Sequence, residues 1–323
     1  MPSEASPTRA VPRISVVVPA YNRERFLGPT IDSIVGQTMS GWELVVVDDG
    51  STDGTLGVGQ RYADADERVR VLSGPNGGVA RARNRGFDAT DVHSEFVVFL
   101  DSDDIWDPDA LATLAAALDA HPEYVSVYGL ARCIDAEGRP IPGDDLEEWM
   151  RARKALTADG LVPLGAEDPM TFAGLVAHNW GVTPGTNLIR RSVIEQVGLF
   201  DPDTDPCDDW DMAIRVSRQG QVGFVPHPVL WWRRHDDTLS ETSPRLRQAH
   251  LRVRRNTFIW PGNTPEQRRL AGLAYRKMCR DSLRTAWGHV GDGQLRRSAR
   301  PVAKAALGYL EYLRADVRVR LRR

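Results

Sequence analysis

The chain alternates short, uninterrupted apolar runs with stretches in which apolar residues recur at helical spacing. ISVVVP (14–19) is a continuous, β-branched apolar run, the pattern of a strand covered on both faces; ELVVV (43–47) reads as a second buried strand, and VRVL (69–72) and EFVVFL (95–100) as the third and fourth strands. Between the first two, Leu27, Ile31, Ile34 and Val35 fall at helical spacing; further helices are expected around 55–63 and from Ala80 to Phe87. After the fourth strand, Asp107 and Pro108 offer an N-cap and a first-turn proline to a helix carrying Leu111, Leu114 and Leu118. Strand followed by helix, four times over, predicts an α/β protein with a doubly wound, largely parallel sheet. Residues 1–12, with three prolines, read as a loose tail.

The second half is less regular. Residues 135–185 mix glycine, proline, acids and tryptophan, predicting long loops around a short helix near 145–156. SVIEQVG (192–198) predicts a helix with a capping box from Ser192 to Glu195 and Gly198 as its stop; DDWDMAIRVSRQG (208–220) predicts another, closed by Gly220. VGFVPHPVLWWRRH (222–235) reads as strand segments broken by prolines, and beyond 244 the pattern is helical and arginine-rich.

Ligands of such sheets bind beyond the carboxyl ends of the strands. Three of the four strand ends carry strongly polar clusters: Tyr21-Asn22, Asp48-Asp49 and Asp101-Ser102-Asp103. They are expected to face one cleft.

Charge adds a boundary. The net charge of −3 conceals 21 basic and 39 acidic residues in 1–243, against 20 basic and 5 acidic in 244–323. With 41% apolar and 26% charged residues the composition is that of a globular chain rather than a disordered or fibrous one. No apolar run approaches the ~20 residues that span a bilayer. The polar start has no apolar h-region, and three scattered cysteines form no CxxC or paired framework, which points to a reduced, cytoplasmic setting.

Asp101 and Asp103, two apart after a buried strand, would point to one side of extended backbone and share a cation; hard oxygen donors there suit Mn²⁺ or Mg²⁺. A solvated acidic loop capping the next helix is the competing reading. Asp48-Asp49-Gly50-Ser51 is either an Asx-capped turn or a carboxylate that accepts from a nucleotide base. Arg81 and Arg85 share a helix face while Arg83 lies nearly opposite, so one or two of these arginines suffice for a phosphate. Trp180, Trp210, Trp231 and Trp232 are either sugar-stacking surfaces or core.

VVVPAYNR, VVVDDGSTDGT, NGGVARARNRG and VVFLDSDD, in this order and spacing, resemble the donor half of a family 2 glycosyltransferase, and FD-(x₆)-DDWDMAIR with WWRRHDDTLS resembles its later motifs. The resemblance covers about residues 13–240. It implies a GT-A (nucleotide-diphospho-sugar transferase) fold with a doubly wound mixed sheet, an inverting hexosyltransferase-type mechanism and a nucleotide-diphosphate sugar donor, UDP first. By that resemblance 13–240 is a catalytic domain, with 13–105 binding the nucleotide sugar and 106–240 the acceptor, followed by a basic helical segment, 241–323. Position by position, Pro19, Ala20 and Tyr21 would line the base and ribose pocket; Asp49 or Asp48 would hold the base. Arg83 would contact the nucleotide, and Asp101 with Ser102 the donor. Asp103 would ligate the metal, with Asp101 beside it. Asp209 would be the catalytic base, with Asp208 where glutamate is common. His235 either completes the metal site or is structural. Trp210, Trp180 and Asp208 are the acceptor-side candidates.

Two other classes are weighed against this. FVVFLDSDDI also resembles the nucleophile loop of haloacid-dehalogenase-type phosphatases, but that fold needs a strand-end lysine, and Lys154, Lys277 and Lys304 are not so placed. A catalytically inactive GT-A-like binding protein would have lost the DxD or the late acid, and both are present. The acceptor is open among saccharide, lipid-linked and small-molecule hydroxyls. Nucleic acid is not an expected partner. The basic segment has three readings: packing against the acidic body in cis or in a homodimer, a solvated face, or peripheral docking of 244–323 on an anionic membrane at the inner face of the plasma membrane.

Overall fold

A computed structural model describes residues 11–235, 244–291 and 310. Most of the tail 1–12, the end of the WWRRHDDTLS motif (236–240) and much of the basic segment lie outside the described residues. The strands are β1 (Ile14–Ala20), β2 (Trp42–Asp48), β3 (Val69–Ser73), β4 (Phe96–Phe99), β5 (Ile105–Trp106), β6 (Tyr124–Ile134), β7 (Lys154–Leu156), β8 (Leu161–Pro163), β9 (Asn187–Arg190) and β10 (Gln221–Arg233). The helices are α1 (Glu24–Val35), α2 (Thr55–Ala65), α3 (Val79–Asp88), α4 (Ala110–Ala120), α5 (Leu146–Arg151), α6 (Phe172–Leu175), α7 (Arg191–Val197), α8 (Asp208–Val216), α9 (Pro244–Ile259) and α10 (Pro265–Gly291).

Among the described residues, eight strands form one mixed sheet in the order β3-β2-β1-β4-β9-β6-β10-β5. The expected parallel unit is its left half: β3, β2, β1 and β4 run parallel, and every residue of β1 and β2 is buried. The order reverses between β1 and β4, which opens a crevice beyond their carboxyl ends. β9 pairs antiparallel to β4, so its first residue, Asn187, lies at the carboxyl end of β4 and brings the preceding loop into that crevice. β10 runs parallel to β6 and antiparallel to β5, with Trp231 opposite Ile105. This register delivers residues 233–235 to the turn before β5.

Helix α3 lies directly on β1 and β2. A Cβ at Gly86 would stand 2.3 Å from Val17 Cγ1 and 3.0 Å from Val47 Cγ2. Gly86→Ala therefore costs stability despite alanine's better helix propensity; overpacking of this kind typically costs ~1–3 kcal/mol. A urea-denaturation midpoint equal to wild type would show that the helix shifts freely and the contact carries no energy.

Several local expectations are corrected. Residues 221–233 form one strand, because register shifts between Phe224 and Pro228 and between Pro228 and Leu230 absorb the prolines. The helix expected near 145–156 ends at Arg151, and Lys154–Leu156 pairs with Leu161–Pro163 as a hairpin. Helix α7 starts at Arg191 straight off β9 with Arg190 at its cap, so Ser192 lies inside the helix and the Ser192–Glu195 capping box does not form. Helix α4 starts at Ala110, whose N–H donates to the Asp107 carbonyl, while the Asp107 carboxylate takes the Trp231 indole N–H. Helix α8 ends at Val216, and a turn follows to Gly220.

The described part of the basic segment packs in cis on the body. Val253, Phe258, Leu270, Ala271 and Tyr275 join the main hydrophobic core. Arg254 donates to the carbonyls of Val176 (2.6 Å) and Ala177 (2.8 Å) and lies over the Trp210 ring, and Arg245 pairs with Asp205 at 2.6 Å. Arg247 remains on a solvated face, and the exposed Arg252 donates to the Asp203 carbonyl. No helix among the described residues is long and apolar enough to cross a membrane.

Candidate functional site

The crevice is built from four chain crossings. At the first, Pro19 and Ala20 are buried in β1 and Tyr21 emerges 45% exposed. Asn22 adopts a left-handed φ of +52°, and its side chain accepts from Thr52 N–H at 2.9 Å, tying the loop after β1 to the loop after β2.

At the second, both acids after β2 are buried and used by the protein's own backbone. Asp48 accepts from Ser51 N–H (3.2 Å) and Ser73 Oγ (2.8 Å), which is the capped-turn reading. Asp49 accepts from the N–H groups of Gly77 (3.0 Å) and Gly78 (2.8 Å) and pairs with Arg85 at 2.5 Å. Gly78, at φ +89°, can take this conformation because it lacks a Cβ. Of the three clustered arginines, Arg81 is exposed on its own helix, Arg85 holds Asp49, and Arg83 is buried.

The third crossing is the turn after β4. Residues 101–104 are not extended; Asp104 N–H donates back to Asp101 O, so Asp101 and Asp103 point to different partners. Asp101 pairs with Arg83 at 2.6 Å. Burial pushes its carboxyl up, Arg83 opposes this, and the charge of Asp103 adds to the rise. Asp103 accepts from Arg23 Nε (3.2 Å) and meets His235 Nε2 at 3.1 Å. Burial raises its carboxyl, but His235 and Arg23 outweigh burial and hold it below the usual range. His235 is itself stacked on Phe26, ring centroids 4.7 Å apart. Asp104 is fully buried, accepting from Arg233 N–H (3.0 Å) and Thr183 Oγ1 (3.1 Å), and fixes the turn. Ser102 is buried at the turn's apex.

The fourth is the start of α8. Asp208 is buried and bonded to Arg83 Nη1 at 2.7 Å, so one guanidinium joins the turn after β4 to this helix. Asp209 is half-buried and lines a cavity of about 20 Å³ with Asn179, Thr183 and Tyr128. Its carboxylate takes Trp210 N–H (2.7 Å) and the Asn179 amide (3.3 Å). Burial first and the Asp208 charge second push its pKa up to about 7, against the pull of Arg83 and the Trp210 N–H. Burial dominates this rise. Asp205 and Asp211 are held by Arg245 and Arg215.

Three acceptor-side candidates are corrected. Trp210 is 3% exposed, with its indole N–H on the Leu175 carbonyl. Trp180 is 6% exposed, its N–H on Gly174 O, and it lies beneath Trp149 at 4.8 Å. Asp208 is closed off by Arg83. The exposed aromatic beside them is Trp149, which carried no motif. Arg23 sits in the polar stretch just after β1 and was visible there; Asn179 and Thr183 come from a loop with no local signal.

Asp103 and His235 give a carboxylate oxygen and an imidazole nitrogen, donors suited to Mn²⁺, and the carboxylate also to Mg²⁺. The Arg23 guanidinium bonds the same carboxylate oxygen, so that oxygen already faces positive charge. Among the described residues no three His, Cys, Asp or Glu side chains converge as a ready ligand set, so Asp101 does not stand with this pair. The residues fit a cation whose other positions are filled by non-protein oxygens.

Comparison with known proteins gives a match to the family model "Glycosyl transferase family 2" over residues 15–198. The chain is 39% identical over 233 residues to an uncharacterized glycosyltransferase, EpsJ, of Bacillus subtilis, covering 72% of this chain and 64% of that protein. The chain spans from 20% to 64% of the length of the curated relatives it matches. Among solved structures, S. aureus TarS 1–349 in complex with UDP-GlcNAc superposes with a TM-score of 0.60 at 20% identity, covering 82% of this chain and 71% of that one. The mannosyltransferase PcManGT from Pyrobaculum calidifontis, in complex with GDP-Man and Mn²⁺, gives 0.57 at 20% identity over 95% and 86%. Both show a shared GT-A fold.

Proposed function

The chain belongs to glycosyl transferase family 2, and on that premise we propose that it moves a sugar from a nucleotide-diphosphate donor, UDP first, to an acceptor hydroxyl with inversion. The observation that carries the reading is Asp209: a carboxylate at the mouth of a small cavity, held near pH 7 and beside the turn that carries Asp101 and Asp103. A base with such a pKa is still a proton acceptor at neutral pH and strong enough to be useful.

The nucleoside lies against Pro19, Ala20 and the exposed ring of Tyr21, with Asp48 and Asp49 holding the two turns that wall the base. Asp101 and Ser102 face the ribose and diphosphate. Arg83 acts from behind, fixing Asp101 and Asp208, rather than as an open phosphate contact. Asp103 and His235 would hold Mn²⁺ or Mg²⁺, which when bound offsets charge on the departing diphosphate. Asp209 takes the acceptor hydroxyl's proton while that oxygen bonds to the anomeric carbon from the face opposite the diphosphate. The carbon–phosphate-oxygen bond breaks, the nucleoside diphosphate leaves, and the proton stays on Asp209. No covalent intermediate forms, so the configuration inverts. Saccharide, lipid-linked and small-molecule hydroxyls all meet this requirement; the solvated arginines of α9 support peripheral contact with an anionic surface.

The test is a panel of nucleotide sugars read by thermal shift with Mn²⁺, followed by NMR of the product's anomeric configuration. Retention of configuration would defeat the inverting reading. Asp103→Ala is expected to abolish the Mn²⁺-dependent part of the donor's stabilisation, which at donor near 100 Kd is about 2.7 kcal/mol. A shift unchanged in that variant would remove Asp103 from the metal site.

A further inference from the structure

On the opposite face of α8 from Asp209 lies a second, larger cavity of about 420 Å³, within the ~300–1,000 Å³ range of small-ligand clefts. Asp209 and Met212 look into the small cavity, whereas Asp211, Arg215 and Arg218, one and two turns along, line this one. Its other wall is the end of α9 and the loop after it.

The chemistry of the wall is selective. Val197, Leu199, Ile259 and Trp260 supply apolar surface, and Ile259 and Trp260 are 37% and 39% exposed. The Trp260 ring is held in place by the Arg218 guanidinium at 5.3 Å, which is anchored in turn by Asn263 Oδ1 (3.1 Å) and Thr257 O (3.2 Å). The cavity's cations are already committed: Arg215 donates to Asp211 and to the carbonyls of Val197, Gly198 and Leu199, and Arg218 to Asn263 and Thr257. Arg215 and Arg218 each spend four of their five N–H donors on the protein, so the cleft offers little free guanidinium to a phosphate or a uronate. The polar groups without a partner among the described residues are neutral, the Asn256 carboxamide and the Trp260 indole N–H; Asp201 also gives only one oxygen to a backbone N–H. A rigid aromatic face, an amide and a carboxylate acceptor suit a ligand with an apolar ring face and a rim of hydroxyls.

We propose that this cleft binds a neutral saccharide, as a secondary carbohydrate site separate from the transfer site. Trp260 is the stacking platform, and Asn256 and Asp201 hydrogen-bond ring hydroxyls. The choice of ligand class rests on the glycosyltransferase reading; the exclusion of anions, and hence of the nucleotide sugar, does not.

The experiment titrates the full chain with cellotetraose, maltotetraose, mannotetraose and tetra-N-acetylchitotetraose by calorimetry and saturation-transfer NMR. At least one is expected to bind saturably. Trp260→Ala should weaken it by about tenfold or more, the loss expected when a stacked aromatic is removed. Asn256→Leu should weaken it several-fold, while both variants keep the wild-type melting temperature and transfer to a monosaccharide acceptor. Binding should survive Asp209→Asn, so a protein that fails to transfer sugar but binds the tetrasaccharide separates this proposal from the proposed reaction. Binding by none of the four, including through coverage of the cleft by the chain itself, overturns the proposal. So does binding that is unchanged in Trp260→Ala or lost in Asp209→Asn.

Discussion

Asp209→Asn is expected to lower sugar transfer by about 10²–10⁴-fold, the usual worth of a positioned general base, with donor binding retained. The amide keeps the shape and the contacts to Trp210 N–H and Asn179 but accepts no proton. In the wild type the rate should rise with pH along a limb centred near 7, because the carboxyl must ionise before it can act. Folding stability responds in the opposite sense. The carboxyl's pKa is about 7 in the folded chain against an ordinary 3.8, so between these values the folded state binds more protons than the unfolded one. Stability therefore falls as pH rises through that window, and above it the loss is complete. The asparagine has no such penalty, so at pH 8 the variant should be more stable than wild type by roughly 2–4 kcal/mol, and comparable near pH 4. Transfer at near wild-type rate, or equal stability at pH 8, would show that Asp209 is neither the base nor a strained carboxylate.

Arg83→Met should cost about 3–5 kcal/mol of folding stability, because it leaves the buried Asp208 and the half-buried Asp101 without their cation. Arg83 is 4% exposed and meets Asp101 at 2.6 Å and Asp208 at 2.7 Å through different nitrogens. Lysine has one ammonium and cannot hold both acids in that fork, so Arg83→Lys should rescue only part. The guanidinium also lowers the pKa of Asp209, so its removal should shift the pH–rate limb above 7 in whatever fraction stays folded. Chemical denaturation measures the first effect and the pH profile the second. A stable Arg83→Met protein with an unmoved limb would show that the triad is incidental to both fold and chemistry.

The four parallel strands, three of them buried, and the polar clusters at three of their ends were legible because each is a local property: a continuous apolar run, a period, an acid where the run stops. The Asp48 turn was legible for the same reason. The assignment of partners was not. Asp101 and Asp103 are two residues apart, yet one is held by Arg83 from α3 and the other by Arg23 and His235, which lie 80 and 132 positions away. Trp210 sits beside Asp209 in sequence but turns into the core against Leu175 and Arg254, while Trp149, from the short helix α5 that carries no motif, is the exposed ring.

The basic segment shows the same division. The charge boundary near 243 was plain in the composition, and its described helices do pack on the acidic body. Much of that packing is Val253, Phe258 and Tyr275 in the shared core and Arg254 on two carbonyls, rather than acid–base pairing. The sequence by itself determined the α/β sheet, the family resemblance and which side chains are chemically able to act. Only the tertiary structure decided which of them are free to act, because burial and partnership depend on contacts between segments far apart in the chain. Those contacts set whether a carboxylate is locked in a turn, paired with a guanidinium, or left half-buried with a pKa near 7.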